Sequence, residues 1–586
     1  MQIIFNGGIG MDKELLLENI EMEAYSHGKA TLVAGMCKKL GVINIFDQYL
    51  TKQNGRKPDI AYGIMAQMML ANLCHSRRPL YLMDEYFEHI DIEGTFNSDA
   101  KPHNLTDDRF GCFLDNFHEA GPRKIFSEID NFHEAGPRKI FSEISMTAFA
   151  TYGLSIKNIN YDTTSKVMWG QYETEEGKID EISIDYGYSK DKRNDKKQIK
   201  IGIGTANGIV VDAKVLSGNT DDKTYNNDAI DDVDEILKKS KTSKDSFYYV
   251  ADSAFFTEEN INKANGRDIK FITRAPETTN MSKIYIGKFF SERQLTKDVI
   301  FENAQGKKVK YQVLDYKSEY KGIPVKLAVC YSFTLEETKR KTISRHAEKE
   351  YAELEKKIKV FSKRSFACEA DSQKEIEEFL KTKGKKLKYH SVNLNIEMNE
   401  KRKRKKADNK DSQKEYEYTI NLEINREDSK IEAAIERECT FILASNDSDI
   451  SCEEMLKEYK TQSSVEKKFQ QLKAPEFIDD LFVKTPKRVE ALTYMILIGL
   501  MILSVMEHVV RREMKKDNTI ILGPGKIKMS KPSLKAIMGI FEYVPIQVIK
   551  VNNNCIRKFQ KPLKDNQRQI LNYLGLDESI FVGHAL

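Results

Sequence analysis

The chain has 586 residues, 40% hydrophobic and 31% charged. That mixture can bury a large core and excludes a wholly disordered protein, and at ~150 residues per domain the length allows about four domains. The 93 Lys+Arg stand against 89 Asp+Glu, a net charge of +4, so bulk charge does not mark a nucleic-acid binder; only local patterning would.

Residues 1–150 read as a mostly helical domain, with apolar residues at helical spacing in segments such as IAYGIMAQMMLANLC (60–74). Inside it DNFHEAGPRKIFSEI occurs twice in tandem, at 115–129 and 130–144. Two identical copies indicate a recent in-frame duplication rather than a solenoid. From 151 to 284 the pattern changes to an α/β unit. INYD (159–162), EISIDYG (181–187) and KIGIGTANGIVVDAKVL (200–216) predict strands, with Asn207-Gly208 as a hairpin turn. A helix is expected at about 226–239. SFYYVADSAFF (246–256) predicts a buried strand ending in Asp252. Thr257 then caps a helix that Gly266 closes, and KFITR (270–274) is a further strand.

Residues 285–445 read as a β-rich, Lys-rich insertion. Strand-like VKLAVCYSF (325–333) and EYTINLEIN (417–425) alternate there with basic helical stretches. Residues 381–410 hold twelve Lys+Arg and three Asp+Glu, a local net of +9, centred on KRKRKK (401–406). Such a run is either a solvated tip or a phosphate-contacting element. Strand-like sequence resumes at CTFILAS (439–445). Residues 446–515 open with a capping box at Ser451 and Glu454 and predict one long helix to Lys473. An apolar core helix follows at about 488–510. Residues 516–586 read as a small helical subdomain.

Eight cysteines form no Cys-x-x-Cys pair, which argues against a zinc ribbon and fits a reducing compartment. There is no His-Glu-x-x-His motif and no secretory leader pattern. The longest strongly apolar run, Tyr494–Met506, has 13 residues, against ~20 for a membrane span. The expectation is a cytoplasmic protein without membrane association.

Three acids stand out by context. Asp162 ends the apolar run INYD, Asp252 ends YYVAD, and Glu466 lies on the helix that begins near Ser451. A lone strand-end aspartate is most often a cap or turn residue. Several converging carboxylates, however, call for a cation, and oxygen ligands suit Mg²⁺. Tyr459, Gln462, Glu466 and Lys473 fall at offsets 0, 3, 7 and 14, one stripe on a continuous helix. As a site, the carboxylate would hold metal, Lys473 a phosphate, and Tyr459 would stack or hydrogen-bond near a DNA end; the alternative is an ordinary half-polar surface helix. Lys190 and Arg193 belong to a basic loop, SKDKR (189–193), read as DNA-contacting or simply solvated. Trp169, the only tryptophan, reads as core or sheet packing in preference to base stacking. His508 reads as a structural histidine.

These residues resemble the DDE transposases of bacterial insertion sequences, in the branch with a Tyr-x2-Arg-x3-Glu-x6-Lys signature. YKTQSSVEKKFQQLK (459–473) matches at Tyr459, Glu466 and Lys473, with Gln462 where the signature has Arg. YDTTS (161–165) is similar to the first-Asp motif and VADSAFFTEENI (250–261) to the second. The stretches 104–115 and 187–224 also resemble the family. The resemblance implies an RNase H-like core with Asp162, Asp252 and Glu466 as a metal-binding triad, holding two Mg²⁺ for which Mn²⁺ may substitute. It implies a largely β insertion between Asp252 and Glu466, for which the 214-residue separation leaves room. It further implies a helical N-terminal domain that recognises the inverted repeats of the element, and a homodimer on DNA at the nucleoid. The implied reaction is metal-dependent hydrolysis at element ends followed by 3′-OH strand transfer into target DNA. The duplication, one copy more than the pattern needs, leaves open a chain that only binds DNA. A nuclease of the same fold without strand transfer is the other alternative.

Overall fold

A computed structural model describes residues 20–50, 58–120, 136–172, 182–302, 306–361, 363–382, 386–401, 415–474, 483–551 and 554–583. The fold is mixed α/β and divides into two units, one running to Thr273 and resuming at Glu458, the other spanning Arg274–Lys457.

The first unit begins with strand β1 (Ile20–Ser26) and helices α1 (Gly28–Lys39), α2 (Val42–Leu50), α3 (Tyr62–His75), α4 (Asp107–His118) and α5 (Pro137–Thr151). Aromatic residues at helical spacing tie these together: Phe46 of α2 lies 5.9 and 5.0 Å from the rings of Phe113 and Phe117 of α4. The duplication falls at the α4–α5 junction. Residues 115–120 come from the first copy and residues 136–144 from the second, and joined they spell one complete copy. The remaining fifteen, 121–135, lie outside the described residues. Gly136 adopts φ +88°, and a Cβ on it would stand 3.5 Å from the His118 carbonyl oxygen.

Next come β2 (Asn158–Val167), β3 (Gln198–Ala206), β4 (Ile209–Leu216), helix α6 (Asp222–Ser240), β5 (Tyr248–Ala251), helix α7 (Glu258–Gly266) and β6 (Phe271–Arg274). The strands lie in the order β4-β3-β2-β5-β6. The first three are antiparallel, and β2, β5 and β6 are parallel. Asn207 and Gly208 both take positive φ, +54° and +76°, as the tight turn between β3 and β4 requires. Thr257 accepts from the Asn260 amide and caps α7 as expected. The strand expected over 181–187 is not formed. Asp185 makes one isolated bridge to Gln198, and Ser183 instead accepts from the Gly218 amide.

The single helix expected from Ser451 to Lys473 is broken. The capping box is present, with the Glu454 amide donating to Ser451 Oγ and the Ser451 amide to Glu454 Oε2. One helix nevertheless ends at Lys460 and a second, α8 (Ser463–Lys473), begins after Gln462. Between them the amides of Thr461, Gln462, Ser464 and Val465 bond to carbonyls three residues back. The cause is Thr461, whose hydroxyl engages both the Glu458 carbonyl and Asn160 Oδ1, an alternative to regular helix that Ser and Thr offer the backbone. Helix α9 (Pro486–Lys516) contains the expected apolar stretch. It is long and apolar enough to cross a membrane, but its apolar window is almost wholly buried in the protein.

The C-terminal segment is not purely helical. β7 (Pro545–Val551) and β8 (Asn554–Phe559) form a three-stranded sheet with β1, Ile20 opposite Val551. PIQVIKV (545–551) is rich in β-branched residues. It pairs on one side with β8, next along the chain, and on the other with β1, over 500 residues away.

In the second unit, strands Lys297–Glu302, Lys308–Tyr320, Ile323–Ser332 and Thr440–Ser445 pair antiparallel. A hairpin joins His390–Glu400 to Tyr416–Arg426. The 29-residue helix Phe333–Phe361 and the helices Glu369–Thr382 and Asp428–Glu438 make this unit mixed rather than β-rich. Of KRKRKK, only Lys401 is among the described residues.

Candidate active site

Tyr161 of β2 stands opposite Ala251 of β5 in parallel register. The next residue on each is an aspartate, so Asp162 and Asp252 reach the same level of the sheet. Asp252 caps a short turn of helix, its Oδ1 accepting from the Ala254 amide at 3.0 Å. Its carbonyl accepts from Thr273 Oγ1 at 2.6 Å. Beneath the site Tyr161 is fully buried, stacked on Tyr249 at 4.8 Å, and donates to Asp212.

Lys190 closes over the pair. Its amide donates to Ser165 Oγ, and its ammonium donates to Asp162 Oδ1 at 2.8 Å and to the Thr163 carbonyl at 2.6 Å. The same ammonium lies 3.6 Å from Asp222 Oδ2. Asp222, the first residue of α6, also accepts from Thr163 Oγ1 at 2.7 Å and from the buried Lys200 at 3.2 Å. Burial and then the Asp162 charge push Asp252 above the usual carboxylate range, against the Ala254 amide and Lys190. Burial by itself would lower the Lys190 pKa, but Asp162, Asp222 and Asp252 outweigh it and raise it. Burial also opposes ionisation of Asp222, yet Lys190, the Thr163 hydroxyl and Lys200 hold it below the usual range.

Among the described residues Glu466 is not gathered with the two aspartates into a metal-holding group. Helix α8 packs on the sheet, with Ser464 Oγ 2.8 Å from Thr205 Oγ1, and Thr461 just before it donates to Asn160. Asn160 and Asp162 are two residues apart on β2 and so share a face; that face is the one α8 covers. Val465, Lys468, Phe469 and Leu472 form the buried stripe of the helix, and Glu466 is exposed. Seven residues on, Lys473 donates to Asp191 Oδ1 at 2.6 Å, next to Lys190. Tyr459 belongs to the preceding helix and Gln462 to the break. The four do not form one helical stripe.

Asp252 directly follows β5, but Asp162 lies inside the ten-residue β2 and not at its end as expected, because β2 runs on to Val167 in its ladder with β3. Two carboxylates at one level, one with its proton affinity raised by burial and by the other, suit a hard divalent cation. Among the described residues no group of three or more carboxylates, histidines or cysteines is gathered closely enough to hold a metal ion. The carboxylates that the sheet brings together are Asp162 and Asp252, with Lys190 bonded to Asp162. Asp222 was not foreseen. The available signal was Lys200, a lysine inside the otherwise apolar KIGIG strand, which needs an anionic partner when buried.

The basic loop is also less free than its sequence suggests. Lys190 is engaged as described, and Arg193 forms a two-point pair with Asp195 at 2.9 and 3.0 Å. Trp169 is 59% exposed, not packed in the core. It follows the end of β2, where Met168 takes the buried side at 3% exposure and leaves the indole outward. His508 is held as a structural residue, its Nδ1 3.0 Å from the Asn207 carbonyl.

A family model described as a domain of unknown function (DUF4277) matches residues 23–131. No curated protein matches. Among solved structures, a piggyBac transposase synaptic complex with hairpin DNA aligns at 10% identity and a TM-score of 0.36, covering 88% of this chain and 79% of that one. A Mos1 transposase paired-end complex with the left transposon end aligns at 10% identity and a TM-score of 0.15 over 38% of this chain. This chain spans 61% of that Mos1 chain.

Proposed function

We propose that the protein is a DNA transposase of an insertion sequence, with an RNase H-like core and Asp162, Asp252 and Glu466 as its metal-binding carboxylates. The observation that carries this reading is the placement of Asp162 and Asp252 at one level of neighbouring parallel strands, beneath the helix that bears Glu466. The sheet of three antiparallel and two parallel strands supports the fold assignment. When bound, divalent cations supply water activation and stabilisation of a leaving 3′-oxygen in phosphodiester cleavage. The roles of this chain's own residues follow from position. Asp162 and Asp252 would hold Mg²⁺ or Mn²⁺ from the sheet, and Glu466 from the helix. Lys190, bonded to Asp162, would release that carboxylate to a cation. Lys473, beside the same loop, would meet a DNA phosphate as a point charge, with Tyr459, Gln462 and Arg193 as further DNA contacts. Joining two ends needs two active sites, so the working form is a dimer on element ends.

The test is incubation with Mg²⁺ or Mn²⁺ and a labelled duplex carrying the end of the encoding element. Metal-dependent cleavage at that end, absent in Glu466→Gln with DNA binding retained, is the expected result. Unchanged cleavage in the variant removes Glu466 from the site. That Glu466 is not gathered with the aspartate pair among the described residues, together with the tandem duplication, favours one second reading, a chain that binds DNA without cutting it; binding without cleavage in the same assay would select it.

A further inference from the structure

The first unit carries an aromatic, cationic cleft that the triad does not use. It has a volume of about 450 Å³, and Trp169, Tyr186, Gln171, Lys196 and Lys197 are among its walls. Trp169 is 59% and Tyr186 55% exposed. The Lys196 ammonium lies 4.9 Å from the indole centroid and the Arg193 guanidinium carbon 5.6 Å. Lys197 is spent on the carbonyls of Gln171 and Tyr172 and braces the wall. Asp195, also in the wall, holds the Arg193 guanidinium in its two-point pair, which leaves the Lys196 ammonium beside the indole for an anion. An outward indole next to a cation matches the two halves of a nucleotide. The ring offers a stacking face to a base of any sequence, and Lys196 meets its phosphate.

We propose that this cleft binds one unpaired nucleotide of a DNA strand, its base stacked on Trp169 and its phosphate held by Lys196. The proposal rests on the DNA reading above and extends it to a second subsite. Its place follows from the strand. Trp169 is seven residues beyond Asp162, at most ~23 Å along an extended chain. A DNA strand rises ~3.4 Å per nucleotide, so the stacked base lies no more than about seven nucleotides from a phosphate at the aspartates. The segment from Lys190 to Lys196 joins the two points, touching Asp162 at one end and Trp169 at the other.

Trp169 is the only tryptophan of the chain, so intrinsic fluorescence reads this cleft alone. The full chain is titrated with a twelve-nucleotide oligo-dT and, separately, with a blunt duplex of equal length. The expected results are quenching of tryptophan emission by oligo-dT, weakened by salt, and roughly tenfold weaker oligo-dT binding in Trp169→Leu by gel shift. Trp169→Phe should recover most of that loss, and the duplex should bind Trp169→Leu within about twofold of the parent. Oligo-dT that binds without quenching, and equally well to Trp169→Leu, overturns the cleft proposal and leaves the transposase reading standing. Failure of every DNA to bind overturns both.

Discussion

Asp162 and Asp252 each follow one member of a directly paired couple on parallel strands, Tyr161 and Ala251, so the fold itself sets two like charges at one level. Asp252 bears the strain, held above the usual carboxylate range by burial and by Asp162. Asp252→Asn, which keeps an oxygen for the Ala254 amide, should therefore raise the Tm of the metal-free protein. The same change, or Asp162→Asn, should lower metal-dependent cleavage by at least about 10²-fold, since metal catalysis supplies several kcal/mol. Higher Tm with lost cleavage is the signature of a functional carboxylate pair. A lowered Tm in Asp252→Asn would show the aspartate to be a structural cap instead.

Lys190 acts as the resident counter-charge. Removing it in Lys190→Met leaves Asp162 without its ammonium and Asp222 with Lys200 alone, both in a partly buried position. A loss of roughly 1–3 kcal/mol is expected from groups left unpaired in this way. Millimolar Mg²⁺ should return more stability to the variant than it gives the parent, because the cation no longer has to displace a lysine. Thermal melts of both proteins with and without Mg²⁺ measure this. Equal Mg²⁺ shifts would mean that lysine and cation do not compete.

Much of this site was legible in the residues themselves. The strand-end position of Asp252, the Asn207-Gly208 turn, and the Thr257 and Ser451 caps all follow from short-range rules, because each depends on neighbours within four residues. Asp162 instead sits inside β2, whose length is set by its pairing with β3. What escaped depends on distant partners. The helix break at Thr461 needs Asn160, some 300 residues away, to accept from the hydroxyl. The role of Asp222 needs Lys200 and Lys190 brought to it by the sheet and the loop. The outward turn of Trp169 was set by which of two adjacent apolar residues the core accepted, and Met168 took the place. The pairing of β7 with β8 is local and was open to a sequence reading, whereas its other edge meets β1, over 500 residues away.

His27 gives the first unit a pH limit. It is 2% exposed, and burial pushes its pKa from 6.5 down to about 4. The Asp91 amide donates to Nε2, so Nδ1 carries the proton and donates to Thr31 Oγ1 at 2.7 Å. The unfolded chain binds this proton near pH 6.5 and the folded chain does not until about pH 4. Stability is therefore fully present above pH 6.5 and falls as pH drops through that window, by roughly 3 kcal/mol at pH 4. Urea midpoints between pH 7 and 4 should show a shallower decline in His27→Gln than in the parent. Parallel declines would assign the acid sensitivity to other groups.

The duplication can be removed without choosing a copy. Deleting 121–135, which joins Ala120 to Gly136, or 130–144, which joins Ile129 to Ser145, gives the same amino-acid sequence, because the two copies are identical. The Gly136 Cβ position lies 3.5 Å from the His118 carbonyl oxygen and 3.9 Å from that of Ala120, so the two ends already stand side by side. The joint restores one DNFHEAGPRKIFSEI running from α4 into α5, with Asp115 free to keep its pair with Arg488 at 2.6 Å. Closing fifteen extra residues costs on the order of 2 kcal/mol of chain entropy. The deletion should therefore leave the circular dichroism spectrum unchanged and raise stability by about 1–2 kcal/mol. A fall in Tm of several degrees would instead make the second copy part of the folded domain. Cleavage that appears only after the deletion would identify the duplication as the lesion in a binding-only chain.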